Sequence, residues 1–441
     1  MTRLFVCASC VLLSVSTARA EITPNEILLS SFNPSDPVAP TSTVEGAGVK
    51  VGEGTVLRPV FGIETGALSN VFYEDAAINN TGVLRLLAQV GIASLGDARM
   101  TPPGEGDVEP VQGSFEYRAD LRLAYDLMLT GNNTVSETGG LGIGASVTGL
   151  VNPRGNVAFQ FQDSFDRLIR AANYETSTNT DRDINKLNLK LNFQPHDRSI
   201  GGYLYYTNMI DLFEREEQSF ADRMFNRFGI HPSWRWLPQT LVYADVSLGT
   251  VSTLGDTSIK PNSYPLTARV GLATLISLKT TFNVDAGYTN GFYSDGPSYS
   301  APTVGAQIGY RYSPLGRVTL GYSLVYEDSI NANYYRDHVL RLSLQQLFAP
   351  FVIMAQPELH FREYRGITYA VPSLMGAADT RDDVIFAVTA GIHYNFRNWV
   401  AATANYRFST VQTDYMDPAG GTVDDPSYVR HELLVLMRMV L

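Results

Sequence analysis

Residues 115–129, FEYRADLRLAYDLML, place Phe115, Tyr117, Ala119, Leu121, Leu123, Tyr125, Leu127 and Leu129 on one register of a period of two. Glu116, Arg118, Asp120, Arg122 and Asp126 fall on the other. At the helical period the same charges scatter round the cylinder and leave no apolar stripe, so the pattern predicts a strand. At about 3.4 Å per residue it spans roughly 50 Å, whereas an ordinary globular strand has about 5 to 6 residues. A tilted strand crossing a bilayer needs about 9 to 11 residues and can continue beyond it.

The alternation recurs. Leu187, Leu189, Leu191 and Phe193 alternate with Lys186, Asn188, Lys190 and Asn192; Val242, Ala244, Val246 and Leu248 alternate with Tyr243, Asp245 and Ser247. Val318, Leu320, Tyr322, Leu324 and Tyr326 share a face, as do Val384, Phe386, Val388, Ala390, Ile392, Tyr394 and Phe396. Continued along the chain, this rhythm predicts about eighteen strands. They start near residues 55, 82, 113, 140, 156, 184, 200, 222, 240, 264, 280, 303, 317, 336, 351, 382, 399 and 428. The expected fold is all-β: a transmembrane, antiparallel, up-and-down β-barrel over 55–441, with an even strand number that brings both ends to one side.

Turn chemistry agrees. Asn152-Pro153-Arg154-Gly155, Leu237-Pro238-Gln239, Ser313-Pro314-Leu315-Gly316, Ala349-Pro350 and Arg397-Asn398 read as tight turns, alternating with longer polar links at 171–183, 253–263, 291–302, 365–381 and 410–427. The connection 96–112, with Pro102-Pro103, is long where parity calls for a short one. At the chain end Leu433, Val435, Met437, Met439 and Leu441 alternate. This resembles the terminal strand by which barrels engage their assembly machinery, with Leu441 where an aromatic is usual.

Composition adds a compartment. Residues 1–20 carry Arg3, an apolar core from Leu4 to Val15, and Ala18-Arg19-Ala20, the layout of a cleaved signal peptide. Its removal takes both cysteines, Cys7 and Cys10, and shifts the net charge from −11 to −13 by loss of Arg3 and Arg19. Nucleic acid is therefore not an expected partner. Residues 21–54, rich in Pro, Ser, Thr and Gly, read as an irregular periplasmic segment.

The stretch GVKVGEGTVLRPVFGIETGALSNVFYED, residues 48–75, resembles the entry strand of the β-barrel porin families of Gram-negative bacteria, with Asn70-Val71-Phe72 matching their Asn-Val-Phe segment. The resemblance implies an outer-membrane barrel. It extends to barrels encoded with exopolysaccharide export systems, so the first expectation is a conduit for polysaccharide secretion with a separate periplasmic export partner. The alternative is a diffusion porin for small solutes, which calls for an inward-folded loop; no single loop is long enough to nominate. An outer-membrane enzyme or surface lectin ranks below both.

With the polar register inward, the lumen carries Arg118, Arg122, Lys186, Lys190, Arg223, Arg227, His231, Arg235 and Asp245, together with Arg269, Asp285, Arg341, Glu358 and Arg362. Arg223, Arg227, His231 and Arg235 recur every fourth residue: either a basic ladder for an anionic solute or, in the favoured reading, partners of lumenal carboxylates. Tyr203, Tyr205 and Tyr243 either stack sugars or fill space, with filling preferred. No catalytic site is expected: the pairs Asp382-Asp383 and Asp424-Asp425 would point to opposite faces, and no Gly-x-Ser-x-Gly elbow is present. No cofactor is expected either, since the six histidines lack metal-ligand spacing. Trp234, Trp236 and Trp399, with Phe348, Phe351 and Phe396, lie beside short turns and predict an interfacial aromatic girdle.

Overall fold

A computed structural model describes residues 48–440 apart from 53, 77, 95–113, 154, 170–180, 196–198, 256–259, 349, 368–379, 398, 414 and 416–425. The signal peptide, most of the 21–54 segment, the 96–112 connection and Asp424-Asp425 lie outside the described residues. The strands are β1 (Val49–Val51), β2 (Thr55–Leu68), β3 (Thr81–Ser94), β4 (Phe115–Leu129), β5 (Gly140–Val151), β6 (Val157–Leu168), β7 (Arg182–Phe193), β8 (Ile200–Phe213), β9 (Arg223–Leu237) and β10 (Thr240–Thr253). They continue with β11 (Leu266–Ser277), β12 (Thr280–Asn290), β13 (Ser300–Ser313), β14 (Gly316–Asp328), β15 (Ala332–Phe348), β16 (Phe351–Ile367), β17 (Thr380–Arg397), β18 (Val400–Thr413) and β19 (Tyr428–Val440).

Each strand from β2 to β19 pairs antiparallel with its sequence neighbours, and β19 pairs back onto β2 from Glu432 opposite Leu68 to Val440 opposite Val60. The result is a closed barrel of eighteen strands with no free edge along the wall, the one sheet arrangement that satisfies every backbone group in an apolar phase. The short β1 pairs with the first residues of β2, beyond the end of β19.

Two-residue turns close one end: Leu237 pairs with Thr240, Ser313 with Gly316, Phe348 with Phe351 and Arg397 with Val400. Longer connections, including 69–80, 214–222 and 291–299, occupy the other end, together with a short one at 329–331. Both described chain ends lie at the short-turn end.

The period-two pattern sorts as expected. In β4 the apolar register faces out, with Leu121, Tyr125 and Leu129 exposed, while Asp126 is buried on the lumenal side. The outer face is exposed and apolar all round: Phe228 at 58%, Val270 at 62% and Met437 at 55% are typical. From Phe228 to Trp236 this face climbs about 20 Å along β9 after allowing for tilt, near the hydrocarbon height a barrel must match. Trp234, Trp236, Trp399, Phe348, Phe351 and Phe396 are all exposed beside the short turns, where the girdle was expected. No helix of the described residues is long and apolar enough to cross a membrane.

Candidate functional site

The lumen has two kinds of wall. From β15 through β19 to β4 it is knitted by buried charges. The Arg85 guanidinium donates to Asp126 through two nitrogens, at 2.5 and 2.9 Å, and to Glu64 at 2.5 Å, with all three side chains nearly inaccessible. On β15 and β16, Arg362 bonds Asp337 at 2.7 Å, His360 lies 3.0 Å from Asp337 and 3.4 Å from Glu358, and Arg341 bonds Glu358 at 2.5 Å. Near the loop end Arg430 bonds Glu432 at 2.5 Å and donates to the carbonyls of Asn70 and Val71, while its guanidinium lies over the Tyr73 ring at 4.3 Å. That contact folds connection 69–80 back against the wall.

The wall from β9 to β14 is different. Lumen-facing glycines recur on successive strands, among them Gly271 under the Tyr243 ring, Gly305 under the Asp285 carboxylate, and Gly321 with open space above it. Over them lies a cavity of about 560 Å3 lined by Arg227, Tyr243, Asp245, Asp285, Gln307 and Arg341 among others. Glycines also let aromatic rings lie flat on this wall. A side chain at Gly229 would begin 2.2 Å from the Tyr205 ring, and one at Gly271 would begin 2.2 Å from the Tyr243 ring.

Six of the expected lumenal residues come together beside this cavity. Lys190 Nζ sits 3.6 Å from the centre of the Tyr203 ring, Tyr203 stacks on His231 at 4.5 Å, and His231 stacks on Tyr243 at 5.1 Å. Asp245 lies 3.1 Å from His231 Nδ1 and accepts from the Tyr205 hydroxyl at 3.1 Å. Tyr203 and Tyr205 are buried in the wall, while Tyr243 is half-buried and lines the cavity. Arg118 instead pairs with Asp120, and Arg122 with Asp166, on the far side of the lumen; Lys186 faces inward from β7 among other polar groups.

The four-residue ladder on β9 is not a continuous basic track. Arg223 is buried between Asp211 at 3.2 Å and Asp328 at 2.7 Å, and His231 is held by Asp245. Arg227 lines the cavity, and Arg235 is exposed near the short turns. Residues four apart share a face, but they stand at different heights, and each height has its own cross-strand partners.

A roof over the cavity is the feature the sequence reading lacks. Asp328, the last residue of β14, receives Arg223 of β9 at 2.7 Å, Lys260 at 3.1 Å and the Tyr293 hydroxyl of connection 291–299 at 3.3 Å, joining three segments at one carboxylate. Asn333 donates at 3.0 Å to the carbonyls of both Asp295 and Pro297 and pins the turn between them. Tyr299 packs on Tyr326 and Tyr334 with ring centres 5.0 Å apart in each case, and Tyr293 lies beside both Tyr299 and Tyr334. Burial, reinforced by the Asp328 charge, pushes the Tyr293 hydroxyl well above its ordinary range, so it stays a neutral donor. Among the described residues several short segments, and no single long loop, make this roof. The hint in the sequence is the aromatic content of NGFYSDGPSY, residues 290–299, unusual for a solvated link.

Among the described residues no cluster of His, Cys, Asp and Glu could hold a metal ion. Asp382 is exposed and Asp383 is buried against Arg381, so this pair is no acid/base couple.

Neither a protein-family model nor a curated protein matches the chain. Among solved structures it is similar to OccK2 of Pseudomonas aeruginosa at 13% identity and a TM-score of 0.45, covering 87% of this chain and 98% of that one. It is also similar to OccAB4 of Acinetobacter baumannii, at 12% identity and a TM-score of 0.46 over 87% and 98% of the two chains. A third likeness is to OpdK of P. aeruginosa crystallised with vanillate, at 7% identity and a TM-score of 0.46 over 87% and 99%.

Proposed function

We propose that the chain is an outer-membrane β-barrel channel for small water-soluble solutes. Closure without an edge, an exposed apolar belt and an aromatic girdle at the short-turn end support membrane insertion, with that end in the periplasm and the longer loops outside. The entry-strand resemblance at 48–75 and the signal-like residues 1–20 favour the Gram-negative outer membrane, reached through the barrel-assembly machinery. The solute is small because the observation that carries this reading is the roofed cavity of about 560 Å3, within the range of about 300–1,000 Å3 typical of small-molecule sites. Loops drawn over a lumen restrict passage by size, which an extended polymer would not tolerate. Polysaccharide export with a periplasmic partner therefore stands second, on the resemblance alone.

The test is flux through the full chain reconstituted in liposomes. Swelling in monosaccharides and amino acids that falls off steeply with oligosaccharide length supports the small-solute channel. Free passage of long oligosaccharides would favour export, and loss of extracellular polymer on clean deletion of the gene, restored by complementation, would establish it.

A further inference from the structure

The cations bordering the cavity are mostly spoken for. Arg269 lies 3.8 Å from Asp285, Arg341 is bonded to Glu358 at 2.5 Å, and Arg227 is engaged as well. Arg317 stands apart. It is the second residue of β14, on the lumenal register opposite Gln345, and it lines the cavity towards the short-turn end. Among the described residues no ion pair or hydrogen bond engages its side chain.

Its surroundings are those of a binding group. A side chain at Gly309 of β13 would begin 2.5 Å from Thr281 Oγ1, 3.5 Å from Arg317 Nη2 and 3.6 Å from Thr319 Oγ1. One guanidinium and two hydroxyls thus border the lumenal face of residue 309, which as glycine lets them approach one another over the backbone. The Thr281 hydroxyl reaches the Gly309 carbonyl only at a long 3.4 Å, so it can turn towards a stronger acceptor. A guanidinium flanked by hydroxyl donors, with no carboxylate in ion-pair range, fits an oxyanion in both charge and geometry.

We propose that Arg317, Thr281 and Thr319 form an oxyanion subsite at the inner end of the cavity, which small anionic solutes occupy in passing. The inference rests on the channel reading above and assigns its charge preference to one residue off the β9 ladder. Passage of the anion needs no covalent step; the subsite exchanges water for a carboxylate or phosphate oxygen and releases it to the periplasmic side.

The experiment is ion selectivity of the full chain in planar bilayers, read as the reversal potential in a potassium chloride gradient. Arg317→Gln is expected to lower anion-over-cation permeability about three- to fivefold, the scale of one charge acting at close range in water. Arg317→Lys keeps most of the preference, and Arg235→Gln, at the exposed end of β9, leaves it unchanged. Acetate or inorganic phosphate added to one side should depress the chloride current through the parent channel. Whichever acts at lower concentration identifies carboxylate or phosphate as the solute class. Heat-dependent gel migration checks that each variant is folded. If Arg317→Gln does not fold, Thr319→Val reads the same subsite through weaker acetate and phosphate block. Unaltered selectivity in a folded Arg317→Gln channel, an equal shift from Arg235→Gln, or no block by either anion overturns the subsite and leaves the channel standing. Absence of any conductance in the parent overturns the channel reading itself.

Discussion

The two lumenal walls use the same residue types to opposite ends. Between β15 and β4 inward charges meet opposite charges on their own strand or on a neighbouring one: Arg430 against Glu432, Arg85 between Glu64 and Asp126, and Arg362 against Asp337. Between β9 and β14 glycines replace part of that lining, and the remaining charges border an open space. Buried ion pairs lose most of their Coulomb gain to desolvation, so the first wall gains uniqueness of register more than net stability. The second gives up packing to hold a ligand-sized void. A barrel closed by backbone hydrogen bonds can leave part of its lining unfilled because the wall does not depend on an inner core.

The largest expected effect comes from breaking the knitted wall. Arg85→Ala leaves Glu64 and Asp126 facing each other in a dry site, and a loss of about 3–5 kcal/mol is expected, measured by urea unfolding in micelles or bilayers. Exchanging all three for apolar residues of similar size should restore most of it, because the penalty is the unpaired charge and not the missing pair.

Asp328→Asn acts at the boundary between the walls and the roof. Two cations and the Tyr293 hydroxyl lose a charged acceptor, which should cost about 1–3 kcal/mol. The more informative outcome is functional: with the loops unclasped, single-channel conductance and the size limit of liposome swelling should both rise. A stability loss with unchanged conductance would mean that the roof does not restrict the pore.

Gly321→Leu probes the open wall. A side chain there would begin no closer than 3.8 Å to any neighbour, so folding should shift by no more than about 0.5 kcal/mol. Flux of larger solutes should fall while potassium chloride conductance drops less. The corresponding change on the other wall, Ala387→Leu, places bulk in a packed cluster with Ile385, Val411 and Tyr428 and should destabilise instead. The smallest effect is expected from Trp236→Phe in the girdle, where an apolar ring is kept at the interface and unfolding should move by a few tenths of a kcal/mol.

The staves of the barrel are legible in the sequence, because a strand with lipid on one side and water on the other must alternate, and alternation survives without knowledge of its partners. Predicted starts near 140, 200, 240, 280, 351 and 428 coincide with β5, β8, β10, β12, β16 and β19. Arg85 escapes notice because its inward neighbours Val83 and Leu87 are apolar, so its strand reads as greasy on both sides. Arg317 is missed because, at the first position of its predicted strand and directly after a turn, a single polar residue reads as part of the turn. The roof is the least legible part. Asp328 finds Arg223 across 105 residues and Lys260 across 68, and contacts at that distance depend on which heights the barrel's stagger brings level. The ladder on β9 shows the same limit: spacing gives the face, while stagger decides that Arg223 and His231 meet carboxylates.

The most direct test of the account is solute flux through the purified full chain in liposomes, measured against a graded series from monosaccharide to long oligosaccharide, in the parent and in Asp328→Asn. A roofed channel gives rapid entry of the smallest solutes, a sharp cut-off in the parent, and a higher cut-off once the roof is released. Equal permeability to every length in both proteins, or to none in either, would contradict a roofed small-solute channel.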